Sequence, residues 1–99
     1  MSHYTAVALT PTTDTWIPAY MENVPALVAR HGGRYVAQSD NYERIEGEAS
    51  DTDPAMIVII EWPNKDAESA FVADPDYAPH HAARLAGATN NSFSVPGLG

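Results

Sequence analysis

The chain has 99 residues, a mass of 10.7 kDa and no cysteine, so a single domain, 1–99, is expected, built without disulfides or thiolate metal clusters. Thirteen acidic residues against five basic ones give a net charge of −8, which argues against nucleic acid and anionic membranes as partners. Met1-Ser2-His3-Tyr4 carries neither a basic segment nor an apolar run, and no apolar stretch approaches the roughly 20 residues that span a bilayer, so the cytoplasm is the expected location.

Residues 3–10 alternate, with Tyr4, Ala6 and Ala8 on one face and Thr5, Val7 and Leu9 on the other, which predicts a first strand stopped by Pro11. Among the Thr12-Thr13-Asp14-Thr15 caps, Thr15 suits best because it puts Pro18 at the third helical position, where no amide hydrogen is needed. Ile17, Tyr20, Met21, Val24, Leu27, Val28 and His31 then recur by threes and fours, one stripe of a helix about four turns long. Pro25 removes one backbone hydrogen bond and predicts a kink within it, and Gly32-Gly33 ends it.

Residues 34–38 begin a second strand that is expected to resume through 41–46 after a bulge at Ser39-Asp40. Ala55 to Trp62 is an almost unbroken apolar run, the pattern of a strand buried on both faces. Pro63 stops it, and Asn64 caps a helix over 65–72. Asp74-Pro75-Asp76 interrupts before a further helical stretch, 77–85, that stops at Gly87, and residues 88–95 make a last strand. The order is strand, helix, strand, strand, helix, strand. That is the ferredoxin-like split βαβ arrangement, α+β in class: a four-stranded antiparallel sheet with two helical segments on one face. Since those helices cover one side only, the doubly apolar third strand predicts a homodimer.

His31-Gly32-Gly33-Arg34-Tyr35, Ile60-Glu61-Trp62-Pro63, and Asp74-Pro75-Asp76-Tyr77 followed by Arg84 together span most of the chain. With them the sequence resembles small bacterial proteins known only as a domain of unknown function within the dimeric α/β-barrel superfamily. The resemblance implies two ferredoxin-like sheets packed back to back, and it implies no reaction. Elsewhere that superfamily includes cofactor-free monooxygenases, lactone isomerases, polyketide cyclases, haem enzymes and ligand sensors. Phe71-Val72-Ala73 and Ala78 depart from the family's usual residues.

Several residues can carry chemistry. His31 continues the apolar stripe of the first helix, either as a structural histidine with one hydrogen bond or as an acid or base in a cleft. His81 shares the apolar face of the last helix with Tyr77, Ala78, Ala82 and Leu85, whereas His80 pairs with Arg84 at four-residue spacing. Adjacent histidines cannot make a helical metal pair, so no metal is expected, and no haem is expected because the alanine-rich last helix does not announce the large apolar pocket that an axial histidine needs. Glu61, in an apolar strand, is either half of a salt bridge, with Arg84 as first choice and Arg34 as second, or a general base. One member each of Arg34/Tyr35 and Tyr42/Glu43 faces the cleft by strand alternation, and arginine or tyrosine there can orient a small acid or phenol.

The combined reading is a homodimer with a pocket in each subunit between sheet and helices. The catalytic candidates are His31, His81 and Glu61, and the ligand-binding candidates Arg34, Tyr42, Tyr77 and Arg84. The pocket is expected to take a small organic molecule near the C-terminal end of the first helix and to support proton transfer, isomerisation or cyclisation without a cofactor. A non-catalytic binding or sensing protein and a purely structural dimer are the alternatives.

Overall fold

The computed structural model describes residues 2–98; Met1 and Gly99, the two ends of the expected domain, lie outside the described residues. The elements in order are β1 (His3–Pro11), α1 (Ile17–Arg30), β2 (Arg34–Ser39), β3 (Met56–Trp62), α2 (Lys65–Val72), α3 (Ala78–Gly87) and β4 (Ala88–Pro96). β1 pairs antiparallel with both β3 and β4, and β2 pairs antiparallel with β3, so the strands lie in the order β2-β3-β1-β4. The fold is α+β and ferredoxin-like.

Register decides which residues share a face. Val7 stands opposite Val58 and Ser92, and Tyr35 opposite Ile60. Val7, Leu9, Val58, Ile60 and Trp62 form one buried cluster with Val24, Leu27 and Val28 of α1, Phe71 of α2, and Tyr77. The stripe read in α1 is therefore its packed face, and apolar burial there is the main force holding helices to sheet. The opposite sheet face contributes nothing to this cluster. Tyr4, Ala6 and Ala8 alternate onto it with Ile57 and Ile59, while Phe93 and Val95 remain 67% and 48% exposed.

Several local expectations are corrected. α1 starts after Trp16, not Thr15, and no side chain caps it. The Trp16 indole N–H is instead held by the carbonyls of Thr13 at 2.9 Å and Gly87 at 3.0 Å. Pro18 thereby moves to the second helical position, still within the turn that needs no amide donor. The helix runs on through Pro25 to Arg30, and Gly32 follows it with φ of 80°, a left-handed conformation that glycine adopts without steric cost.

β2 ends at Ser39, and its register shift falls between Tyr35 and Ala37 rather than at Ser39-Asp40. Residues 41–46 form no strand. Pairing with β3 ends with Ser39 opposite Ile57, so no backbone partner remains for them. The 40–55 segment closes on itself instead: the Tyr42 hydroxyl donates to the Pro54 carbonyl at 2.6 Å, and Arg44 pairs with Asp53. Asn64 does cap α2, its side chain accepting from the Ala67 N–H at 2.8 Å.

α3 is rotated from the expected orientation. Ala78, Ala82 and Leu85 face solvent, while Tyr77 and Arg84 are buried and His81 is half-buried. The rotation follows from the end of the helix: a Cβ on Gly87 would lie 2.4 Å from the Trp16 ring, so only glycine permits that contact. Alanines that match either face cannot resist it. Arg84 accordingly turns inward, away from the expected pairing with His80.

Candidate functional site

Between the sheet and the helices lies a cavity of about 330 Å³, at the small end of the range for small-molecule sites. Val7, Val58, Ile60 and Tyr35 form its floor, and Trp16, Tyr20 and Val24 one wall; Phe71, Tyr77, His81 and Arg84 make the other. The last three lie at positions i, i+4 and i+7 across the start of α3, one stripe of a helix.

Seven aromatic rings, that of His81 included, line it beside aliphatic side chains. Trp62 and Phe71 have ring centres 5.1 Å apart, Phe71 and Tyr77 4.2 Å, and Tyr77 and His81 5.0 Å with planes within 10° of parallel. Trp16 meets Tyr20 edge to face at 5.4 Å. Offset and edge-on ring contacts of this kind add to simple burial.

Polar atoms are few. The hydroxyls of Tyr20 and Tyr77 are 3.4 Å apart. Burial pushes the Tyr20 hydroxyl well above its ordinary range and that of Tyr35 up to about 12, so both stay neutral. Burial, with Arg84 as the second cause, lowers the His81 pKa from 6.5, leaving a neutral imidazole at pH 7 that can accept a proton. Arg84 is 7% exposed, and its Nε is buried without a hydrogen-bond partner.

Of the residues singled out from sequence, the cavity brings together Tyr77, His81 and Arg84, and it leaves four outside. The His31 ring is 2.8 Å from Asp74 Oδ2, and Arg30 donates to the same oxygen at 3.2 Å and to Asp76 at 2.8 Å. The end of α1 is thus tied to the turn between α2 and α3. The hydrogen bond from His31, ahead of the others, holds the Asp74 carboxyl below its ordinary range.

Glu61 lies on the sheet face away from the helices. Its partner is Arg34, at 2.6 Å, and not Arg84; Tyr4 donates to its other oxygen at 2.8 Å. These bonds, that of Tyr4 first, lower the Glu61 pKa. Tyr42 is committed to the Pro54 carbonyl. Among the described residues no three His, Cys, Asp or Glu side chains gather to hold a metal ion, and no helix is long and apolar enough to cross a membrane.

Residues 2–98 match the family described as Domain of unknown function (DUF1330). The chain belongs to the DUF1330 family. No curated protein matches this DUF1330 chain. It is similar in fold to a protein of unknown function from Rhodopseudomonas palustris, with a TM-score of 0.80 at 19% identity over 99% of this chain and 83% of that one. It is also similar to SnoaB, a cofactor-independent oxygenase from Streptomyces nogalater, with a TM-score of 0.68 at 21% identity over 99% and 94%. A dimeric ferredoxin-like protein of unknown function from Jannaschia sp. CCS1 aligns with a TM-score of 0.65 at 14% identity over 98% and 100%. At these identities the likeness shows the fold.

The DUF1330 chain also buries a polar network that the sequence reading missed. Glu68 and His3 are each 6% exposed. Glu68 accepts from Ser94 at 2.6 Å and from Thr5, whose hydroxyl oxygen in turn accepts from the Trp62 indole N–H at 2.9 Å, and His3 lies 3.4 Å from Glu68. The available signals were strand alternation, which puts His3 on the face of Thr5 and Val7, and the three-residue step from Glu68 to Phe71 on α2. The aromatic lining was missed too, apart from Tyr77 and the Arg34/Tyr35 alternation. Tyr20 and Trp62 read from sequence simply as apolar pattern, and Trp16 falls outside the stripe read in the first helix.

Proposed function

We propose that this protein is a homodimer, paired through the helix-free face of its sheet, in which each subunit binds one small organic molecule and moves a proton on it without a metal or redox cofactor. The observation that carries the reading is the aromatic cavity with one neutral imidazole and one buried guanidinium in its wall. An apolar enclosure with a few convergent polar groups is the usual form of a small-molecule site. The cofactor-independent oxygenase among its structural neighbours supports the same view, since that fold there hosts catalysis without a cofactor.

The dimer is supported by the molecule's surface. The chain exposes 6394 Å², against roughly 5,500 Å² for a compact monomer of this mass. Ile57, Ile59, Phe93 and Val95 supply an apolar face for a partner copy, and a dimeric neighbour of the same fold exists. In the proposed site His81 is the proton acceptor, Tyr77 stacks on it and Arg84 binds the ligand. Isomerisations and cyclisations that pass through an enolate begin with such a transfer.

The test uses 2-tetralone, an aromatic ketone with acidic C–H bonds, in deuterated water. Exchange of its α-hydrogens, followed by NMR, is expected to exceed the buffer rate and to fall to that rate in His81→Asn. Saturable binding with exchange at the buffer rate contradicts the proton transfer and leaves a binding protein. Absence of binding by any aromatic probe, with Met21→Trp at the half-exposed cavity edge making no difference, contradicts the site itself.

A further inference from the structure

Among the described residues the guanidinium of Arg84 has no counter-ion. The residue is 7% exposed, its Nε is buried with no hydrogen-bond partner, and the salt bridges of the described residues are made by Arg30, Arg34, Arg44, His3 and His31 instead. Arginine is almost never fully buried unless paired, because an uncompensated charge in an apolar site is costly. The nearby polar groups do not repair this. Asn90 spends its amide N–H groups on the carbonyls of Arg84 and Ala88, leaving its own oxygen unpartnered. Tyr20 and Tyr35 carry neutral hydroxyls, and no carboxylate is among the residues that line the cavity.

We infer that the occupant of the cavity is a planar aromatic anion, an aryl carboxylate or an aryl enolate, whose negative group is held by Arg84. The inference rests on the cavity being a small-molecule site, as proposed above, and adds the charge and shape of what it holds. A guanidinium presents a rigid fork of donors that matches a carboxylate in two parallel hydrogen bonds. The aromatic side chains that line the cavity, Tyr20, Phe71 and His81 among them, suit a flat apolar skeleton, and Arg84 is the cationic group in that lining that orients it. The ligand thus supplies the negative charge that the chain itself omits.

The experiment is calorimetric titration of the wild-type protein at pH 8 with 1-naphthoate and with its neutral isostere 1-naphthamide, repeated with benzoate and benzamide. Each acid is expected to bind at least about tenfold more tightly than its amide, the scale of hydrogen bonds to a charged group. Arg84→Met is expected to level the acid and the amide, and Arg84→Lys to restore part of the difference. Equal binding of acids and amides by the wild type overturns the anion assignment and leaves the small-molecule site standing. Failure of all four probes to bind at millimolar concentration contradicts the site and the inference together. The comparison of isosteres needs no variant, so it holds even if Arg84→Met folds poorly.

Discussion

Arg34 and Glu61 stand directly opposite each other on β2 and β3, with the guanidinium Nε 2.6 Å from Glu61 Oε1, and both lie on the sheet face turned away from the helices. Tyr4, opposite Glu61 on β1, completes a row across three strands. The carboxylate of this row is placed to organise the sheet's outer face and not to act in the cavity.

The Glu61 pKa is lowered in the folded state, by Tyr4 first and then Arg34. A carboxyl with a depressed folded pKa contributes stability that is complete above its unfolded value, here 4.5, and lost as pH falls through its folded value. The gap in denaturation midpoint between wild type and Glu61→Gln should therefore be constant above about pH 6 and shrink below about pH 4.5. Arg34→Met and Glu61→Gln should combine non-additively, whereas Arg84→Met and Glu61→Gln should add.

The two neighbours Val58 and Ile59 separate folding from association. Val58 is 8% exposed in the core under the helices, while Ile59 alternates to the free face. Val58→Asp should unfold the chain, since burying an unpaired carboxylate costs several kcal/mol, on the order of its whole stability. Ile59→Asp should instead yield a folded species of monomer mass in sedimentation. A wild-type protein that sediments as a monomer at micromolar concentration contradicts the dimer.

Glu68 is buried among three partners, Thr5, Ser94 and His3. Glu68→Ala leaves those groups unsatisfied and should cost about 3–5 kcal/mol in urea unfolding. His3→Ala should be destabilising as well, so His3 is no neutral control for the cavity. His80, which does not line the cavity, is a suitable one.

His81 has a folded pKa below 6.5, from burial first and Arg84 second. The unfolded chain takes up that proton first as pH falls, so this residue costs stability below about pH 6.5 and nothing well above it. Replacement by Asn should flatten the decline of the unfolding midpoint between pH 7.5 and 5.5. The exchange of 2-tetralone should show the complementary profile, rising as the imidazole loses its proton and level at pH 7.

The parts legible in the sequence were those set by local periodicity. The stripe holding Val24, Leu27 and Val28, the alternation of β1 and the cap at Asn64 are each written within a few consecutive residues, and together they specify the topology. What was not legible depended on long-range register and on rotation. Residues 41–46 read as a continuation of the second strand, yet pairing with β3 has already ended at Ser39. Glu61 had two candidate arginines, and only the pairing of β2 with β3 puts Arg34 beside it. Arg84 turned inward because Trp16, more than sixty positions away, packs on Gly87, a contact that no spacing within α3 announces.

The position of the ligand is the central claim, and ¹H–¹⁵N NMR of the labelled protein titrated with 1-naphthoate tests it most directly. The chain's two tryptophans, Trp16 and Trp62, both line the cavity, so each indole N–H reports on its interior. Saturable shifts of both indole signals and of the backbone amides of Tyr20, Phe71, Tyr77, His81 and Arg84 are the expected result. Shifts confined to Arg34, Tyr42 and His31, with both indole signals unmoved, would contradict it.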